Sequence, residues 1–142
     1  MVRTCVCGSD LWFFRGLSRQ AAHSQVGHES IGVVEEVGAA VESVKPGDFV
    51  VVPFPYSCGK CPVCKAGFES VCPHGGYFSA CQAEYLRVPE ADGTVVKVPG
   101  SSEDYDDATL ASLLTISDVM STGYHAAASA DVKPGDTAVV MG

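Results

Sequence analysis

Apolar and polar residues alternate in short runs over the first hundred residues, and strands are the elements those runs predict. Val2 to Val6 is a brief alternating segment that reads as the end of a strand. Residues 31–38, Ile-Gly-Val-Val-Glu-Glu-Val-Gly, are rich in β-branched side chains and carry glycine near both ends, which predicts a second strand. Val44-Lys45-Pro46-Gly47-Asp48 is a turn, with Pro then Gly at the central positions that type II geometry favours. Phe49 to Val52 is the strand it feeds, and the same turn recurs at 132–136. Residues 53–82 show little periodicity and form a loop-rich lobe, and 83–88 and 94–98 read as two further strands. The pattern then changes. Acidic residues at 103–107 precede Ala108 to Leu114, and negative charge complements the N-terminal end of a helix dipole, so a helix starts there. Asp118 to Ala130 is a second helix, with Gly123 its weak point. Residues 136–142 read as a buried strand running into glycine. Both ends read as interrupted, with strands lacking partners on either side.

Composition narrows the class. The 142 residues are 46% hydrophobic and 18% charged, which suits a folded chain and excludes disorder. The formal charge of −8 argues against nucleic acid, whose phosphates need a basic face. No apolar run approaches the roughly 18 residues of a membrane span, and no secretory signal pattern opens the chain. No nucleic-acid or membrane partner is therefore expected, and the cytoplasm is the expected compartment.

Seven cysteines change the picture most. An odd count without an export signal argues against a disulfide framework and for metal or reactive thiols. Cys58, Cys61, Cys64 and Cys72 are spaced C-x2-C-x2-C-x7-C. Short spacers let several thiolates converge on one ion, and zinc takes four of them tetrahedrally as a closed, structural site. Gly59, Pro62 and Gly67 favour the turns that such a loop needs. Iron–sulfur ligation is the rival reading, because Cys72-Pro73 resembles the close of a ferredoxin run. The long last spacer and the lack of a second cluster motif favour zinc.

Cys7, His28 and Asp118 have ordinary explanations one by one: a core thiol, a lone histidine and a helix N-cap. Their surroundings do not. Cys7-Gly8-Ser9-Asp10, the stretch Gly27-His28-Glu29-x-x-Gly32-x5-Gly38-x-x-Val41, the four-cysteine loop and residues 117–125 occur in an order and at separations that resemble the zinc-dependent medium-chain alcohol dehydrogenases. The resemblance implies a mainly β fold with a few helices: a GroES-like β-barrel catalytic domain over 1–116, its first strands missing, with a structural-zinc lobe at about 53–82. Residues 117–142 would supply a linking helix and the first strand of a truncated Rossmann nucleotide-binding domain.

The same resemblance implies two zinc ions. Cys7, His28 and Asp118 would hold the catalytic one, and Cys58, Cys61, Cys64 and Cys72 the structural one. Glu29 would approach the metal during ligand exchange, Asp10 would hold the second imidazole nitrogen of His28, and Ser9 would pass the substrate proton. Thr122 would face the nicotinamide of NAD or NADP, and Gly142 would open the dinucleotide turn. Trp12 stands where many relatives place a relay histidine, and it is a candidate pocket wall. Cys5 and Cys81 match no ligand position. The implied activity interconverts an alcohol with an aldehyde or ketone, in a longer protein that self-associates as a homo-oligomer, while a chain ending at 142 is expected to be inactive alone. A non-enzymatic zinc-binding module and an iron–sulfur electron carrier are the alternatives.

Overall fold

The computed structural model describes residues 1–19, 21 and 23–141. Its centre is a four-stranded sheet in the order β1 (Arg3–Thr4), β2 (Ser30–Val33), β3 (Phe49–Val52), β6 (Val96–Lys97), with every neighbour antiparallel. A second, two-stranded sheet pairs β4 (Pro55–Tyr56) with β5 (Gly76–Tyr77).

β3 explains the core. Its four residues, Phe-Val-Val-Val, are all buried, so the strand is covered on both faces. Side chains alternate across a strand, which sorts them into two clusters. Phe49 and Val51 join Ile31, Val98, Leu110 and Leu114 on one side. Val50 and Val52 join Val44, Phe78 and Cys81 on the other. Each such side chain contributes about 1.5–3 kcal/mol by leaving water. Leu110 and Leu114 stand one turn apart on α3 (Asp107–Thr115) and lay that helix against the sheet. α3 starts where the acidic run predicts: Asp106 is its N-cap, its carboxylate accepting from the Thr109 amide at 2.8 Å.

The Pro-Gly turn before β3 has the expected geometry. Gly47 has φ +91°, and the Asp48 amide donates to the Lys45 carbonyl at 3.1 Å. The second copy behaves alike, with Gly135 at φ +96° and a 3.0 Å bond from the Asp136 amide to the Lys133 carbonyl.

Several expected strands are shorter or absent. β2 ends at Val33 because its partner begins at Phe49. Beyond it the Val34 amide bonds the Asp48 carbonyl and the chain runs into the turn, leaving residues 35–38 without a ladder. Residues 83–88 form no strand, although Leu86 and Val88 still pack against the second cluster. Residues 136–141 also form no strand, and Val139 to Met141 are exposed rather than buried. A strand needs a hydrogen-bonded neighbour, and none of the described strands lies beside this segment. Gly142 lies outside the described residues. The last helix, α4 (Val119–Ser129), follows Asp118 as expected and buries none of its residues. No helix among the described residues is long and apolar enough to cross a membrane. The described residues also form two short α-helices, α1 (Asp10–Phe14), which no periodicity foretells, and α2 (Pro62–Lys65) inside the cysteine loop, and three single-turn 3-10 helices at Glu69–Val71, Ala91–Gly93 and Ser102–Asp104.

Candidate metal centres

The four-cysteine loop spans the gap between β4 and β5. Cys61 is the N-cap of α2, its sulfur accepting from the Cys64 amide at 3.4 Å, and Pro62 opens the helix where its missing N–H is harmless. Gly59 at φ +67° and Gly67 at φ +83° take left-handed turns on either side. These turns bring the sulfurs together at 3.5 Å for Cys61–Cys64, 3.7 Å for Cys58–Cys72, 3.9 Å for Cys61–Cys72 and 4.0 Å for Cys58–Cys64. Tetrahedral zinc with bonds of about 2.3 Å places its sulfurs about 3.8 Å apart, so the set fits one ion. The separations are far too long for disulfides. In a cluster, thiolates bind different iron atoms and stand wider than around one ion, so the spacing disfavours the electron carrier.

Electrostatics agree. Backbone N–H groups, that of Lys60 first, pull the Cys58 thiol down to about 6. Burial, then hydrogen bonds with neighbouring thiols, push Cys64 up to about 12. Cys58 gives up its proton readily and Cys64 resists, and a cation held among the four sulfurs would favour the thiolate form.

The second centre is assembled from distant segments. Cys7 follows β1, His28 and Glu29 lead into β2, and Asp118 precedes α4. One ligand atom from each of these four residues lies within 4.8 Å of the others. His28 Nε2 is 3.2 Å from Asp118 Oδ2 and 3.9 Å from Glu29 Oε1. His28 Nδ1 meets Asp10 Oδ1 at 3.2 Å, while the other Asp10 oxygen accepts from the Cys7 amide at 2.9 Å. One carboxylate thus fixes both the imidazole and the Cys7 backbone. Ser9 Oγ lies 3.4 Å from His28 Nε2 and 3.5 Å from Cys7 Sγ. Thr122 Oγ1 donates to Asp118 Oδ1 at 2.8 Å.

Glu29 tests whether a cation suits this place. It is 1% exposed, and its Oε2 has no hydrogen-bond partner. A buried carboxylate oxygen left unpaired is costly, and a positive charge among Cys7, His28 and Asp118 would offset that cost. Cys5, opposite Glu29 in the extended β1–β2 register, is pushed up to about 12, by burial first and then by the Glu29 charge. It stays a neutral thiol packed on the first cluster, and Cys81 is fully buried in the second.

A cavity of about 210 Å³ opens beside His28. Asp10, Phe13, Gly27, His28, Phe54 and Tyr77 are among its walls. Phe54 meets the His28 ring edge-on at 6.0 Å and stacks on Tyr77 at 5.7 Å. Trp12 is not a wall; it is 56% exposed, and Phe13 takes the place expected for it. Spacing could not identify Phe54 or Tyr77, which flank the cysteine loop in sequence. Only the pairing of β4 with β5 turns them toward the cavity.

Known proteins resemble this chain in sequence and fold. The alcohol dehydrogenase GroES-like domain matches residues 1–100. The uncharacterized zinc-type alcohol dehydrogenase-like protein AdhB of Bacillus subtilis is 41% identical, over 98% of this chain and 40% of that protein. Zinc-type alcohol dehydrogenase B of Aspergillus flavus is 44% identical, over 89% of this chain and 29% of that protein. Among solved structures, alcohol dehydrogenase TADH from Thermus sp. ATN1 superposes with a TM-score of 0.80 at 32% identity, covering 94% of this chain and 39% of that one. The chain thus spans at most 40% of these two curated relatives. With residues 1–100 matched and a sheet-centred fold shared with a solved alcohol dehydrogenase, the chain belongs to the alcohol dehydrogenase GroES-like domain family.

Proposed function

We propose that this chain is the zinc-binding part of an oxidoreductase that interconverts an alcohol with an aldehyde or ketone. The carrying observation is the convergence of Cys7, His28 and Asp118, with buried Glu29, beside an aromatic-walled cavity. Cys7, His28 and Asp118 would hold the catalytic zinc, and Cys58, Cys61, Cys64 and Cys72 the structural one. Zinc held at the first site would supply Lewis-acid chemistry toward a substrate oxygen, and NAD or NADP bound by the longer protein would supply the hydride chemistry. Asp10 accepts the Nδ1–H of His28 and so aims Nε2 at the metal position. Ser9 Oγ stands beside both Cys7 and His28, placed to take the proton of an alcohol lying in the cavity. Phe13, Phe54 and Tyr77 give the cavity aromatic walls that suit the carbon end of the substrate. Glu29 is a reserve oxygen, close enough to approach when a ligand leaves.

The same reading divides the chain near residue 116. α3 still packs on the sheet, whereas α4 buries nothing and suits a link into a nucleotide-binding domain. A small-molecule substrate, a cytoplasmic location and self-association of the longer protein belong to this proposal and rest on the family alone.

The test is zinc content and nicotinamide-linked turnover of the full-length protein. Two zinc ions per chain are expected, and H28A should keep one of them. H28A should also lose activity by more than the ~10–100-fold typical when a ligand loses its hydrogen-bond partner. One zinc per wild-type chain with no turnover would favour the non-enzymatic module instead.

A further inference from the structure

We infer that Thr122 is a positioning residue that makes Asp118 a one-oxygen metal ligand. This rests on reading Cys7, His28 and Asp118 as a metal site. A thiolate in the place of Asp118 would present a single sulfur. A carboxylate brings two oxygens, and whichever does not face the metal needs a partner of its own. The structure divides them. Oδ2 faces His28 Nε2 at 3.2 Å, and Oδ1 accepts the Thr122 hydroxyl at 2.8 Å.

The backbone enforces the division. The Asp118 carbonyl accepts the first helical bond of α4, from the Thr122 amide at 2.9 Å, so Thr122 stands one turn along on the same face. Ser121 Oγ also donates to that carbonyl, at 2.8 Å. Asp118 does not cap the helix with its side chain, which leaves its carboxylate free for the metal position. The side chain itself is 16% exposed, so water competes poorly for the second oxygen. Thr122 thus spends its hydroxyl on the Asp118 oxygen that does not meet His28 Nε2.

The experiment uses the full-length protein and reads zinc affinity by chelator competition, with the four-cysteine site as an internal reference. T122V removes the donor at nearly constant volume. It should weaken zinc about 10–100-fold at the His28 site and leave the cysteine site unchanged. T122S keeps the hydroxyl and should restore the affinity. In a D118C background no second oxygen exists, so T122V should cost nothing further. With cobalt in place of zinc, T122V should shift the visible absorption of the D118 protein and not of D118C. Unchanged affinity in T122V, or an equal loss in both backgrounds, would overturn the inference while leaving the metal site standing. A wild-type protein that binds only the cysteine-site zinc would overturn the site itself.

Discussion

Asp48 begins as a turn residue and becomes a cross-sheet anchor. Its Oδ1 meets Lys97 Nζ at 2.7 Å and its Oδ2 accepts from the Lys45 amide at 3.0 Å. These contacts, that with Lys97 first, hold its carboxyl below the usual aspartate range. An unfolded aspartate titrates near pH ~4, so the folded chain binds that proton less readily than the unfolded one. The stabilisation is fully present above that pH and is lost as the pH falls through the lower folded value. Denaturation midpoints measured from pH ~6 down to ~2 should fall steeply for the native sequence. D48N should start less stable and lose less over that range; parallel curves would refute the assignment. Nothing in the sequence joins Asp48 to Lys97, because strand pairing makes the contact. The cysteine site was legible for the opposite reason: its four ligands lie within one loop, and spacing alone implies convergence. Cys7, His28 and Asp118 come from three separate parts of the chain, and only the resemblance joined them before the fold did.

At the scale of elements, composition found β3 at its full length and overextended strands such as β2, whose ladder stops where its partner does. β3 was legible because four consecutive apolar residues fit a strand covered on both faces. The segments at 83–88 and 136–141 have strand-like residues, but a ladder depends on a neighbour that composition cannot see. Glycines divide by the same logic. Gly123 lies inside α4 with nothing within 4 Å of the place a Cβ would take, so G123A should stabilise the helix by about 0.5–1 kcal/mol. Gly93 looks like an ordinary loop residue, yet a Cβ there would clash with the Ser57 carbonyl oxygen and lie 2.5 Å from the Cys58 carbonyl carbon and the Gly59 nitrogen. Those are backbone atoms and cannot rotate aside. They also belong to the entrance of the cysteine loop, where Ser57 Oγ donates to the Gly93 carbonyl at 2.9 Å. G93A should therefore destabilise by about 1–3 kcal/mol and speed zinc release to a chelator from the cysteine site. Melting curves and release kinetics of the two alanine variants, run side by side, check both statements. Equal effects would show that the close approach of Gly93 has no energetic consequence.

Across the whole molecule the two centres are mechanically linked. The cysteine loop leaves from β4 and returns at β5, so a metal there would clamp the base of that hairpin. The residues just outside the clamp, Phe54 and Tyr77, stack on each other and wall the cavity, and Phe54 touches the His28 ring. The Phe54 backbone is tied on both sides: its amide donates to the Ser117 carbonyl at 3.1 Å, and its carbonyl accepts from the Phe78 amide at 2.9 Å. Ser117 immediately precedes Asp118, so the hairpin is bonded to the segment that presents a ligand. Loss of the structural ion should thus loosen the aromatic wall before it disturbs the ligands, which have their own bonds from Asp10 and Thr122. C64S in the full-length protein is expected to lose one zinc per chain and to melt earlier. Its KM should rise more than its kcat falls, because the wall contacts substrate and transition state alike. The zinc affinity of the His28 site should change little. A fall in kcat at constant KM, or release of both ions together, would show that the clamp supports the ligands directly rather than the cavity wall.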